Sequence, residues 1–300
     1  MLTQQTVQTQ PLVPLSTRLG AIHLAVTDRE RALAIWRDIV GLTVIEDRPD
    51  ALVLGAGDTP LVHLYPEATA PVPQRALGLY HVAIHVPTRA DFARVFYRAA
   101  RAGVQISPTD HLVSEALYLW DLDGNGIEIT YETPWRGRFV EGDDLMAMTT
   151  DGKPHSGRER IPTESLLAEL QDGTDPATPL PPGTRIGHVH VHVSDLDAAM
   201  GFFRDGLGFG GQLLSRRYGM GDVTLDYAPH ILAFNIWAGP RASRAPEGSA
   251  GLKWFEIVLE PGALEETRAR LQARGTALSP IAGGYATTDP SGNPIRLLAA

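Results

Sequence analysis

Three histidines occupy every second position of RIGHVHVHV (His188, His190 and His192), and two more stand four apart in GLYHVAIHV (His81 and His85). In a strand, alternate side chains share a face, so each stretch turns its imidazoles to one side. A buried imidazole needs partners for both ring nitrogens. Like-facing histidines in this number point to a cleft that holds a ligand or a metal. Glu128 lies in GNGIEIT, inside an apolar alternation. An unpaired carboxylate there is costly or takes up a proton, unless a cation stands beside it. Two histidines and one carboxylate make the facial triad of non-haem Fe(II), which leaves coordination positions open. His81, His188 and Glu128 are the leading candidate ligands. His190 and His192 are candidates for substrate contact, with a hydrogen-bonded structural role as the alternative.

The segments that carry these residues repeat. RLGAIHLAVTDRERALAIWRDIVGLTV from Arg18 lies over RIGHVHVHVSDLDAAMGFFRDGLGFGG from Arg185 without a gap. Each reads as an alternating strand, a Thr or Ser with an Asp, an amphipathic helix, and a glycine at Gly41 or Gly208. Weaker copies begin at Gly78 and Gly251, with Gly103 and Gly275 where a left-handed helix terminus is expected. The second and fourth copies share an ending, DLDGNGIEIT from Asp121 and DPSGNPIRLL from Asp289, whose Asp-x-x-Gly-Asn marks a tight turn before a strand. The fold expected is α+β: four βαβββ modules at 18–66, 78–132, 185–240 and 250–298, paired into two domains with curved mixed sheets. Chain order groups them as 18–132 and 185–298, with an arm at 1–17 and a connector at 133–184, in which 161–170 reads as a short docked helix. One module buries a sheet face poorly alone, whereas two edge to edge enclose a concave cleft.

The ligand set depends on which modules pair. Two with three brings together His81, Glu128, His188 and His230. One with two brings His63, His81 and Glu128. The fourth module has Trp254 where the second has His81, and Arg296 where it has Glu128. The first has Ala21 at the matching position, with His23 on the same face. At least half of the chain is therefore expected to lack a metal site. His111, in a polar stretch before a strand, is a candidate acid–base residue. Tyr227, with Tyr218, Asn235 and Trp237, is a candidate for lining the cleft, and His192 and Tyr227 join His111 as catalytic candidates.

The chain has 300 residues, enough for about two domains. A net charge of −9 with no basic stripe argues against nucleic acid. With no cysteine, disulfides and thiolate metal sites are excluded. No apolar run is long enough for a bilayer span and no signal-like start is present, so a cytoplasmic location without a membrane partner is expected. Walker, Rossmann, HExxH and nucleophile-elbow patterns are missing, and GLGFGG near Gly206 follows a helix, the wrong context for phosphate.

The stretches LGAIHLAV, GLYHVAIHVP, DHLVSEALYLWDLDGNGIEI, RIGHVHVHVSDLDAAMGFFRDGLGF, FNIWAG and GLKWFEIVL together resemble the glyoxalase/bleomycin resistance/extradiol dioxygenase superfamily of vicinal-oxygen-chelate proteins, and within it four-module proteins like catechol 2,3-dioxygenase. The resemblance covers nearly all of the chain outside the arm and connector. It implies metal ligands on first and last strands of modules, which His81, His188 and Glu128 match. Relatives of this kind carry an acidic residue at the position of His63 and a His-rich stretch before Asn-x-Trp; here APHILAFNIW keeps only His230. The activity implied is Fe(II)-dependent extradiol cleavage of a catechol-like diol with dioxygen. The same superfamily offers a glyoxalase, isomerase or lyase acting on a dicarbonyl with Mn(II), Zn(II) or Ni(II), and a protein that binds an aromatic compound without turnover. Homo-oligomers are common in it.

Overall fold

The structure, a computed structural model, describes residues 9–140, 146–170, 175–225 and 230–300. The chain folds as α+β with mixed sheets and short helices. Each repeat begins with a strand that pairs in parallel with the last strand of the same repeat. Arg18–Ala25 lies beside Thr59–Tyr65, Ala76–His85 beside Gly126–Glu132, Arg185–His192 beside Leu232–Asn235, and Gly251–Leu259 beside Pro294–Ala299. A parallel neighbour requires a crossover, and the helix that follows each first strand supplies it.

Two large sheets result, and they do not follow chain order. Arg18–Ala25 pairs antiparallel with Gly251–Leu259, at the centre of a sheet built from the first and fourth repeats. Ala76–His85 pairs antiparallel with Arg185–His192, at the centre of a sheet built from the second and third. The grouping into 18–132 and 185–298 thus differs from the sheets observed. The reason is that strand alternation fixes which face is buried and says nothing about which edge finds which partner.

Local signals behave as the sequence suggests. Asp28, Thr88 and Asp195 cap the helices that start at Arg29, Arg89 and Leu196, each side chain accepting from a backbone N–H three residues on. Gly103 and Gly275 have φ of +67° and +76°, the left-handed conformation that glycine adopts without a Cβ clash. The two Asp-x-x-Gly-Asn turns are alike. Asp121 Oδ1 accepts from the Asp123 and Asn125 amides, and Asp289 Oδ1 from those of Ser291 and Asn293. Asn125 and Asn293 return a side-chain bond to the same aspartate. The first turn also ties the sheets together, because Thr27 donates to Asp123 through both its amide and its hydroxyl.

In the connector, Gly137–Val140, Met146–Thr149 and Pro154–His155 form a small sheet, and Glu159–Arg160 extends the second large sheet beside Ser107–Asp110. The helix expected at 161–170 is Thr163–Leu167, docked through the fully buried Leu166. In the arm, Leu12 and Val13 bond the Gly208 carbonyl, and Thr9 bonds Gly211. No helix among the described residues is long and apolar enough to cross a membrane.

Candidate metal centre

The central strands of the second sheet bring His81 and His188 together, and the adjoining strand adds Glu128. His81 Nε2 and His188 Nε2 are 3.1 Å apart. Glu128 Oε2 lies 3.0 Å from the first and 3.2 Å from the second. All three side chains are buried. Ligand atoms about 2.1 Å from one metal ion and at right angles to one another stand about 3.0 Å apart. The three edges therefore fit one face of an octahedron. The donor set fits a divalent transition metal, and among the described residues it is the one such cluster.

The electrostatics agree. Burial, partly opposed by Glu128, lowers His188 to about 4, which favours the neutral ring that metal ligation requires. Burial pulls Glu128 upward, but the two imidazoles outweigh it and hold the carboxylate well below its usual range. Thr130, two residues on and on the same face, donates to Glu128 Oε1 at 2.9 Å and leaves Oε2 for the cluster.

His230 sits against the cluster without joining it. Its ring centroid is 4.5 Å from that of His188, and its Nδ1 is 3.5 Å from Asp222 Oδ2. Among the described residues its Nε2 is buried with no hydrogen-bond partner, as is Asp222 Oδ1. Burial raises Asp222 to about 7. His63 is in the other sheet, stacked on His23 at 4.2 Å, so the one-with-two ligand set does not form.

His190 and His192 share a clamp. Asn235, fully buried, donates from Nδ2 to His190 Nε2 at 2.8 Å and accepts from His192 Nδ1 at 2.7 Å. His111 donates from Nδ1 to the Gly157 carbonyl at 2.6 Å, which makes Nε2 the acceptor of the Tyr118 hydroxyl at 2.9 Å. Tyr118 pairs with Glu128 across the hairpin, and burial followed by that carboxylate pushes its phenol well above the usual range. Tyr227 lies outside the described residues. Trp237 bonds the Tyr218 carbonyl through Nε1 at 2.6 Å.

Two neighbours escaped the sequence reading. Tyr118 was readable by counting back from the Asp121 turn, since Trp120 faces Gly126, Leu119 faces Ile127, and Tyr118 then faces Glu128. Tyr80 was not. Alternation puts it opposite His81, but the register slips between His190 and Val191. The ring then turns to the histidine face, 4.9 Å from both His81 and His190. Tyr80, His192 and Trp237 line one side of a cleft of about 1140 Å³ at the strand ends.

This duplicated fold, with a two-His, one-Glu centre where two repeats meet, defines a member of the Glyoxalase/Bleomycin resistance protein/Dioxygenase superfamily, and the chain belongs to it; residues 18–129 match the family model. Among its relatives, the catechol-2,3-dioxygenase of Bacillus subtilis (strain 168) is 32% identical over 283 residues, covering 91% of this chain and 94% of that protein. The fold is shared with a Bacillus subtilis protein of provisional dioxygenase assignment (TM-score 0.62, 10% identity, 97% of this chain and 86% of that one). It is shared too with glyoxalase I from Zea mays (TM-score 0.54, 16% identity, 95% of this chain and 92% of that one).

Proposed function

We propose that this chain is a non-haem Fe(II)-dependent extradiol dioxygenase that cleaves the ring of a catechol-like diol. In this reading the four repeats are copies of one βαβββ module, paired two with three into an active vicinal-oxygen-chelate unit and one with four into an inactive one. The observation that carries it is the convergence of His81 Nε2, His188 Nε2 and Glu128 Oε2 within 3.2 Å of one another. The near full-length relationship to a catechol-2,3-dioxygenase supports the choice of reaction.

His81, His188 and Glu128 would hold the iron, which supplies adjacent open positions where a diol and dioxygen meet. The other residues orient and move protons. The Tyr118 hydroxyl, between His111 and Glu128, gives a substrate hydroxyl a first partner, and His111 Nε2 is placed to receive a proton through it. His230 Nε2, with no partner among the described residues, is free to bond a ligand in the cup. The Asn235 clamp holds His190 and His192 as a fixed polar wall, and Tyr80 and Trp237 add ring faces that keep out water and stack on an aromatic.

The test is anaerobic metal analysis of protein purified without chelator, Fe(II) reconstitution, and oxygen uptake on a small panel of catechols. Near-stoichiometric iron with catechol-dependent uptake is expected. Zinc, nickel or manganese without uptake would turn the reading to an isomerase or lyase. No metal after reconstitution would leave a binding protein.

A further inference from the structure

His188 turns Nε2 toward His81 and Glu128, and its other nitrogen toward His85. The His85 Nε2 to His188 Nδ1 distance is 3.5 Å, the long end of hydrogen bonding. His85 is only 1% exposed. Its ring lies over Gly187, where any Cβ would overlap the imidazole. The strand register slips at this point, between Ile186 and His188. A bulge with a glycine thus makes room for a second histidine behind the first. Beyond it the chain of contacts continues outward. His85 Nδ1 is 3.1 Å from Glu132 Oε1, and Arg185 donates to Glu132 Oε2 at 2.9 Å.

The protons along this chain can be assigned. A metal ion on His188 Nε2 leaves that ring its proton on Nδ1. His85 Nε2 must then accept, which puts the His85 proton on Nδ1, where Glu132 Oε1 at 3.1 Å can accept it and Arg185 Nη2, 3.4 Å from the same nitrogen, cannot. An ionised carboxylate only accepts. Glu132 stays ionised because His85 beside it, and then Arg185, bring its carboxyl down to about 2.

We propose that His85 and Glu132 are positioning residues that fix the tautomer and orientation of His188 for metal binding, with Arg185 anchoring the outer end. The inference rests on the metal centre proposed above and is independent of ring cleavage. Outer partners of this kind change metal affinity by about 10–100-fold when removed.

The experiment is chelator competition with Zn(II) alone on the full-length chain. Glu132→Gln, whose amide donates as well as accepts, is expected to bind about 10–100-fold more weakly, and Glu132→Asp to recover most of the loss. Arg185→Gln, at an exposed position that tolerates change, is expected to weaken binding by a smaller factor. Ring 15N spectra of the zinc-loaded protein are expected to show the His188 proton on Nδ1, slow to exchange in the parent chain and fast in Glu132→Gln. Unchanged melting of the apo variants marks the effect as specific to the metal. Parent-like zinc affinity and exchange in Glu132→Gln would overturn the inference. A parent chain that binds no zinc would overturn the metal centre with it.

Discussion

Where the second and third repeats meet, His190 faces His81 across the seam; where the first and fourth meet, His23 faces Trp254. The adjoining strands keep step as well, with Glu128 beside Ala83 in one sheet and Arg296 beside Glu256 in the other. The backbone is therefore repeated, and the side chains reverse its chemistry. One cup gathers three metal-binding atoms. The other is filled by a stack, His63 on His23 at 4.2 Å, His23 on Trp254 at 4.1 Å, and the Arg296 guanidinium 3.6 Å from the Trp254 ring centre. His23 spends both nitrogens, one on Tyr65 and one on Glu256, each at 3.0 Å. A cation where the sister cup has its carboxylate repels a metal ion, and a packed stack leaves it no space. Binding here is a property of three positions on a shared scaffold.

The sharpest way to break this contrast is to count metal ions. One per chain is expected from the parent protein. Glu128→Ala is expected to lose more than about 100-fold in affinity, beyond the loss of an outer partner, and to bring oxygen uptake to background; a variant that keeps its metal would sink the assignment of the cup. The converse experiment transplants the triad. Ala21→His, Trp254→His and Arg296→Glu together are expected to add a second equivalent of Zn(II), read by metal analysis, and an unchanged count would show that the scaffolds differ more than their registers suggest.

Stability separates the cups more gently. Asn235→Ala leaves the buried His190 and the half-buried His192 each short of a partner and is expected to cost about 1–3 kcal/mol in urea unfolding of the apo protein. A loss below this range would mean that the clamp contributes little. In the other sheet, burial and then His23 lower His63 to about 4. Its folded pKa is below the unfolded value of 6.5, so the unfolded chain binds more protons between the two. Stability from this group is full above pH 6.5 and is lost as pH falls toward 4. His63→Asn is expected to flatten that part of the pH–stability curve. Smallest of all, Arg296→Ala is expected to cost about 0.5–1 kcal/mol of cation–π stabilisation, with metal content unchanged.

Much of this was readable in the residues. Strand alternation and the glycines placed all four first strands, and the two Asp-x-x-Gly-Asn turns appear where the sequence puts them. His81, His188 and Glu128 were legible because a buried carboxylate and like-facing imidazoles are costly without a shared purpose. Pairing was not legible, because Arg18–Ala25 finds its partner at Gly251–Leu259 through packing that no local pattern encodes. Nor were the bulges, each of which defeats the period of two on which the reading relied. One turned Tyr80 into the cup, and the other let His85 slide behind His188.

The nested pairing also sets an order of events during synthesis. The metal-bearing sheet joins neighbouring repeats and has all its strands once residue 244 has emerged. The outer sheet cannot close until Gly251–Leu259 arrives to meet a strand made near the start. Loop entropy rises slowly with length, but such distant contacts form late. Until then the first repeat waits with an unpaired edge, the kind of surface that invites aggregation. A stop codon just before residue 250 would thus spare every candidate ligand and still strand the N-terminal repeat.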